Sequence, residues 1–153
     1  MDKFEYIYGD LVMTNGVPLG TSKDVVYRVT SSDPSKTLKL SDGTELKGVV
    51  RLENLEGAEF GDKGYLLAEC CAWVKDIVPI PLTPEILLKN GWMLHLLFYW
   101  FTEEKCLKLR LLKLDKRPWN AYIGSNLIRV NIHSVSDLQN LLFGLGINHE
   151  MEV

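Results

Sequence analysis

Lys36-Thr37-Leu38-Lys39-Leu40-Ser41-Asp42-Gly43-Thr44-Glu45-Leu46-Lys47 is the stretch that decides the fold class. Two runs alternating polar and apolar residues flank an Asp-Gly pair, and Asp-Gly suits the type I′ turn whose twist matches that of paired strands. An antiparallel hairpin is therefore predicted. On the N-terminal side, Tyr6 to Met13 is aromatic and aliphatic and runs into the turn-forming Asn15-Gly16, and Val25 to Thr30 is a second β-prone run stopped by Ser31-Ser32-Asp33-Pro34-Ser35. On the C-terminal side, Val49 to Leu52 continues the hairpin, Glu53 to Gly64 reads as an exposed loop, and Tyr65 to Cys70 and Trp73 to Val78 resume strand. Pro79 and Pro81 remove backbone donors and end the pairing. Five or six short strands joined by turns require a small, partly open barrel or roll, because closure hides unpaired edges.

The remainder is a mixture of helices and hairpins. Thr83-Pro84-Glu85 caps and opens a short helix that Asn90-Gly91 ends. Trp92 to Phe101 alternates in period two and reads as a single core strand, and Leu107, Leu109 and Leu111 return after a turn at Thr102 to Lys105. The adjacent Leu111-Leu112 shifts the phase, which predicts a bulge. Trp119 to Ile123 and Leu127 to Ile132 make a further hairpin, and Ser134-Val135-Ser136-Asp137 opens a final helix with the capping-box pattern and an apolar stripe at Val135, Leu138, Leu141, Leu142 and Leu145. The expected fold is α+β and mainly antiparallel: an SH3-like partly open barrel or roll over residues 1–80, then β-hairpins and two short helices over 81–153 packed on it.

Seventeen Lys and Arg against twenty Asp and Glu give a formal charge of -3, which lacks the broad positive field of generic nucleic-acid binders. The opening Met1-Asp2-Lys3-Phe4-Glu5-Tyr6 has no basic then apolar pattern of a secretion signal, so a cytoplasmic location is expected. The apolar run Trp92–Phe101 is far below the roughly 20 residues of a membrane span, and no membrane partner is expected. Cys70, Cys71 and Cys106 are expected to be reduced thiols.

Motifs for chemistry are missing from the sequence. His95, His133 and His149 are widely separated, with neither Cys-x-x-Cys nor His-Glu-x-x-His, so no metal site is expected. Gly124-Ser125 lies in a predicted turn and supports no nucleophile elbow, and Gly57, Gly61 and Gly64 do not have nucleotide-loop spacing, so no cofactor and no catalytic residue are expected. Asp42, Glu45, Glu53, Glu56, Glu59 and Asp62 read as a solvated acidic face rather than as ligands. An enzymatic reading would rest on a pocket near His95 and Glu103, for which the sequence offers no motif. The strongest charge feature is Lys105, Lys108, Arg110, Lys113, Lys116 and Arg117, opposed by Asp115 alone and flanked by Trp100 and Trp119. Cations interleaved with aromatic platforms are how single-strand binders grip nucleic acid. The competing reading, favoured by the overall charge, is an ordinary solvated strand face.

Pro79-Ile80-Pro81-Leu82-Thr83 and Leu138-Gln139-Asn140-Leu141 resemble segments of a family of small uncharacterised proteins of Bacteroidetes genomes and their phage-like elements. In that family the terminal helix carries His-Glu before Leu-Gln-Asn-Leu, where this chain has Ser136-Asp137. Gly9-Asp10-Leu11-Val12 is similar to the opening strand of an SH3-like barrel. The resemblance implies a phage or mobile-element setting and no catalytic residues. Together these readings predict a non-catalytic binding or adaptor protein with a protein partner. The alternative is a nucleic-acid binder using the basic hairpin 105–117 and Trp119.

Overall fold

The computed structural model describes residues 6–55, 70–102 and 107–153, which form two compact units, Met1–Ile80 and Pro81–Val153. The fold is mainly β, with one antiparallel five-stranded sheet in each unit and two short helices. No helix among the described residues is long and apolar enough to cross a membrane.

In the first unit β1 (Leu11–Thr14), β2 (Tyr27–Lys39), β3 (Glu45–Asn54), β4 (Cys70–Trp73) and β5 (Ile77–Pro79) lie in the order β4-β3-β2-β1-β5. Alternation along β2 and β3 sends Tyr27, Val29, Val50 and Leu52 inward, where they join Val12, Ala72, Val74 and Ile77 in one core. A single 3-10 turn, Val74–Asp76, links β4 to β5, which run in the same sense at opposite edges of the sheet. It is pinned to the β1 turn by Asn15, whose amide donates to the Asp76 carboxylate at 2.8 Å and whose backbone N–H donates to the Asp76 carbonyl at 3.0 Å.

Three expectations for this unit change. Of the predicted partly open barrel or roll, the described residues show an antiparallel five-stranded sheet that is not closed into a barrel, with β4 and β5 at its edges. Beyond Thr30 the β2 strand is exposed apart from half-buried Ser32, whereas Leu46 and Gly48 of the facing β3 are buried. Asp33-Pro34-Ser35 does not end β2. The strand absorbs it in a register shift between Asp33 and Thr37, where Pro has no ladder bond to donate and the Asp33 carboxylate accepts the Ser35 N–H and hydroxyl at 3.1 and 2.7 Å. The hairpin turn is also of another kind. Gly43 alone takes positive φ, at +91°, and its N–H donates to the Leu40 carbonyl, giving a turn closed by a left-handed glycine rather than the two-residue type I′ turn. The loop predicted at Glu53 to Gly64 and the strand at Tyr65 to Cys70 fall largely outside the described residues.

The second unit runs α1 (Pro84–Lys89), β6 (Met93–His95), β7 (Phe98–Trp100), β8 (Leu109–Leu112), β9 (Trp119–Ile123), β10 (Asn126–Ile132) and α2 (Val135–Gly144). Its sheet is a meander of order β10-β9-β8-β7-β6. Thr83 caps α1 by accepting the Ile86 N–H, and Ser134 and Asp137 form the reciprocal capping box of α2. The inward residues Leu109, Leu111 and Ala121 have no exposure, and neither do Val135 and Leu138 of α2. Buried Gln139 donates to the His149 carbonyl, and the Asn90 side chain exchanges two hydrogen bonds with the Glu152 backbone, so the last residues are tied to both helices.

Here too the sequence reading is corrected. Trp92–Phe101 is a hairpin and not one core strand: Trp92 and Phe101 are buried, while Leu96 and Leu97 at its tip are 81% and 69% exposed. The expected bulge at Leu111-Leu112 is absent, since β8 pairs with β9 in continuous register from Leu109↔Ile123 to Leu112↔Asn120. The phase slips because the strand ends there. The register shifts occur in β10 instead, between Leu127 and Arg129 and between Arg129 and Ile132.

Candidate interaction site on the second sheet

Pairing across the meander places Met93, Trp100, Arg110, Tyr122 and Leu127 directly opposite one another, one residue from each strand, so all five share the outer face. Phe98, two residues before Trp100 on β7, joins the same face. Arg110 stands at the centre, its guanidinium carbon 4.3 Å from the Phe98 ring centroid and 5.4 Å from each of Trp100 and Tyr122. The rings brace one another: Phe98 meets Tyr122 edge-on at 6.1 Å and lies tilted against Trp100 at 6.3 Å. A guanidinium over ring faces is attracted by their quadrupoles and held in one orientation.

The cluster is half-buried, and it is incompletely satisfied. Arg110 Nε and Trp100 Nε1 are shielded from solvent and have no hydrogen-bond partner among the described residues. Among the described residues no carboxylate forms an ion pair with Arg110. Met93 and Leu127 at the ends of the row are 61% and 51% exposed. This face therefore offers a fixed cation, an aromatic collar and apolar flanks.

The basic run predicted from the sequence is divided by the fold. Lys105 lies outside the described residues. Lys108 is exposed at one end of β8, with φ +55° and its carbonyl accepting the Gly124 N–H. Arg110 sits mid-sheet, and Lys113, Lys116 and Arg117 are exposed in the loop at the other end. The four residues of β8 separate Lys108 from Lys113, a span of about 17 Å at the usual rise per step. Trp119, the proposed stacking platform, is 2% exposed, and its indole N–H donates to the Leu82 carbonyl at 3.0 Å. Its ring is a core element, touched by Tyr99 edge-on and by the Lys113 ammonium at 5.8 Å.

The other titratable candidates do not converge. Among the described residues no three His, Cys, Asp or Glu side chains are grouped so as to hold a metal ion. Glu53 pairs with Arg28 at 3.5 Å. Asp42 accepts the Thr44 N–H, and that bond with the Thr44 hydroxyl holds its carboxyl below the ordinary range. Glu56, Glu59, Asp62, Glu103 and Cys106 lie outside the described residues. Phe98 and Tyr122 were not singled out from sequence. The signal that would have found them is their shared face with Arg110, which requires the strand pairing to be known.

Comparison with family models, with curated proteins and with solved structures gives no match.

Proposed function

We propose that this protein is a non-catalytic binding module, an adaptor that takes a protein partner on the outer face of its second sheet. The observation that carries the reading is Arg110 held over Phe98, Trp100 and Tyr122 without a carboxylate partner among the described residues. Trp, Tyr and Arg are the residues that dominate interface energetics, and they do so in shielded clusters with apolar surroundings. The partner it fits presents an Asp or Glu carboxylate to the guanidinium, bidentate in the usual geometry, with apolar side chains over Met93 and Leu127.

In the same reading the first unit is an SH3-like roll, supported by the order β4-β3-β2-β1-β5 and by the 3-10 turn from which β5 returns to pair with β1. The chain is taken as a cytoplasmic relative of the phage-linked small-protein family on its Pro79–Thr83 and Leu138–Leu141 segments. Nucleic acid is the weaker alternative, because the cations of 105–117 are dispersed and the Trp119 ring is enclosed.

The test is affinity capture from lysate with full-length wild type and Arg110→Glu, followed by titration of the purified partner. A stoichiometric protein retained by wild type and lost by Arg110→Glu supports the reading. Identical captures overturn it, as does tight binding of single-stranded DNA or RNA at physiological salt that Lys113→Glu and Lys116→Glu abolish.

A further inference from the structure

A separate feature lies at one end of the second sheet. His95 pairs with Phe98, so Leu96 and Leu97 are the two central residues of the β6–β7 turn. Phe98 in turn pairs with Leu112, which brings the loop after β8 to the same end. That loop exposes Lys113, Leu114, Lys116 and Arg117. Three aliphatic side chains therefore project beside three cations: Leu96 at 81% exposure, Leu97 at 69% and Leu114 at 48%. The acids there are Asp115 and Asp137, and the Asp137 carboxylate already accepts the N–H groups of His133 and Ser134.

Leu96 is the informative residue. Its φ is +56°, a conformation that two-residue hairpin turns normally assign to Gly or Asn. Leucine there is strained, exposed and unsupported by packing, so neither turn chemistry nor the core accounts for it. We infer that this end of the sheet docks on an anionic lipid surface, with Leu96 and Leu97 entering the interface and Lys113, Lys116 and Arg117 meeting the headgroups.

Charge and shape choose this occupant. Exposed aliphatics ringed by basic residues match an interface that is apolar below and negative above. Nucleic acid would use the cations but has nothing to gain from two leucines, since bases stack on rings. A protein groove would gain from the leucines but does not call for three cations around them. The inference is independent of the partner reading, which concerns the sheet face and Arg110.

The experiment is co-sedimentation of the full chain with phosphatidylcholine vesicles and with vesicles containing phosphatidylserine. Binding to the anionic vesicles alone is expected, weakening between 0.1 and 0.5 M salt. Each of Lys113→Glu, Lys116→Glu and Arg117→Glu should weaken it by about fivefold or more, since one basic residue near the surface is worth about 1 kcal/mol. Leu96→Asn and Leu96→Gly should weaken it about tenfold while leaving thermal stability equal or higher, because both residues suit positive φ. These variants separate loss of binding from loss of folding. Absence of binding to anionic vesicles overturns the inference. So does binding that the leucine variants leave intact, or a lipid-independent self-association that they abolish.

Discussion

Replacing Arg110 with Met asks whether the guanidinium holds the sheet together or is held by it. The nearest ring, at 4.3 Å, and the two at 5.4 Å together are worth about 1–2 kcal/mol at a half-buried site. Against this stands Nε, shielded and without an acceptor among the described residues, a defect costing about 1 kcal/mol or more. Methionine has similar reach, removes the unsatisfied donor, and regains part of the ring attraction through its sulfur. The opposing contributions cancel to within about 1 kcal/mol, so Arg110→Met should leave the second unit close to wild-type stability.

The assay is urea unfolding followed by tryptophan emission, because Trp92, Trp100 and Trp119 all belong to the second unit. A midpoint near wild type with an unchanged slope is expected. A loss of about 2 kcal/mol or more would refute the reasoning. It would mean that the cation is part of the packing, and the partner face would lose its central residue.

Three further outcomes follow from the geometry. Ser134→Ala breaks the capping box of α2 and should cost about 1 kcal/mol, lowering the melting temperature of the second unit by roughly 4–8 °C by calorimetry. Leu138→Ala empties a site with no exposure and should cost about 2–5 kcal/mol in the same urea assay. The Asp42 carboxyl should titrate below 3.8 by carboxyl-carbon NMR, because Thr44 donates to its charged form. Its stabilising contribution to the hairpin is then present above the ordinary value and lost as pH falls through the lower folded midpoint, and Asp42→Asn should remove that acid sensitivity.

Elements whose cause lies within a few residues were legible in the sequence. Thr83-Pro84 and Ser134 to Asp137 carry their own caps, and both helices begin where those residues say. The Asp42-Gly43 hairpin was readable as a hairpin, though its turn type was not, because that depends on how the flanking residues register. Long-range pairing was beyond reach. Nothing local to Pro34 says that β2 can bulge around it, and nothing local to Ile77 says that it returns to Thr14.

The candidate sites failed to show for a related reason. A run of basic residues looks like a patch when written on a line, but a strand spaces its residues by about 3.4 Å and alternates them between faces. Lys108, Arg110 and Lys113 thereby reach three different environments. The apolar run Trp92–Phe101 misleads in the opposite sense, since continuous hydrophobicity reads as core until a turn residue interrupts it, and none does. The turn forms at Leu96-Leu97 because its flanks require it: Trp92 and Phe101 pack ring to ring at 5.3 Å, and Met93↔Trp100 and His95↔Phe98 fix the register between them. Once those pairs are set, only two residues remain to reverse the chain, whatever their turn propensity. A turn imposed in this way holds Leu96 at positive φ at a cost of about 1–2 kcal/mol in backbone strain, a cost that Gly or Asn at the same position would not incur.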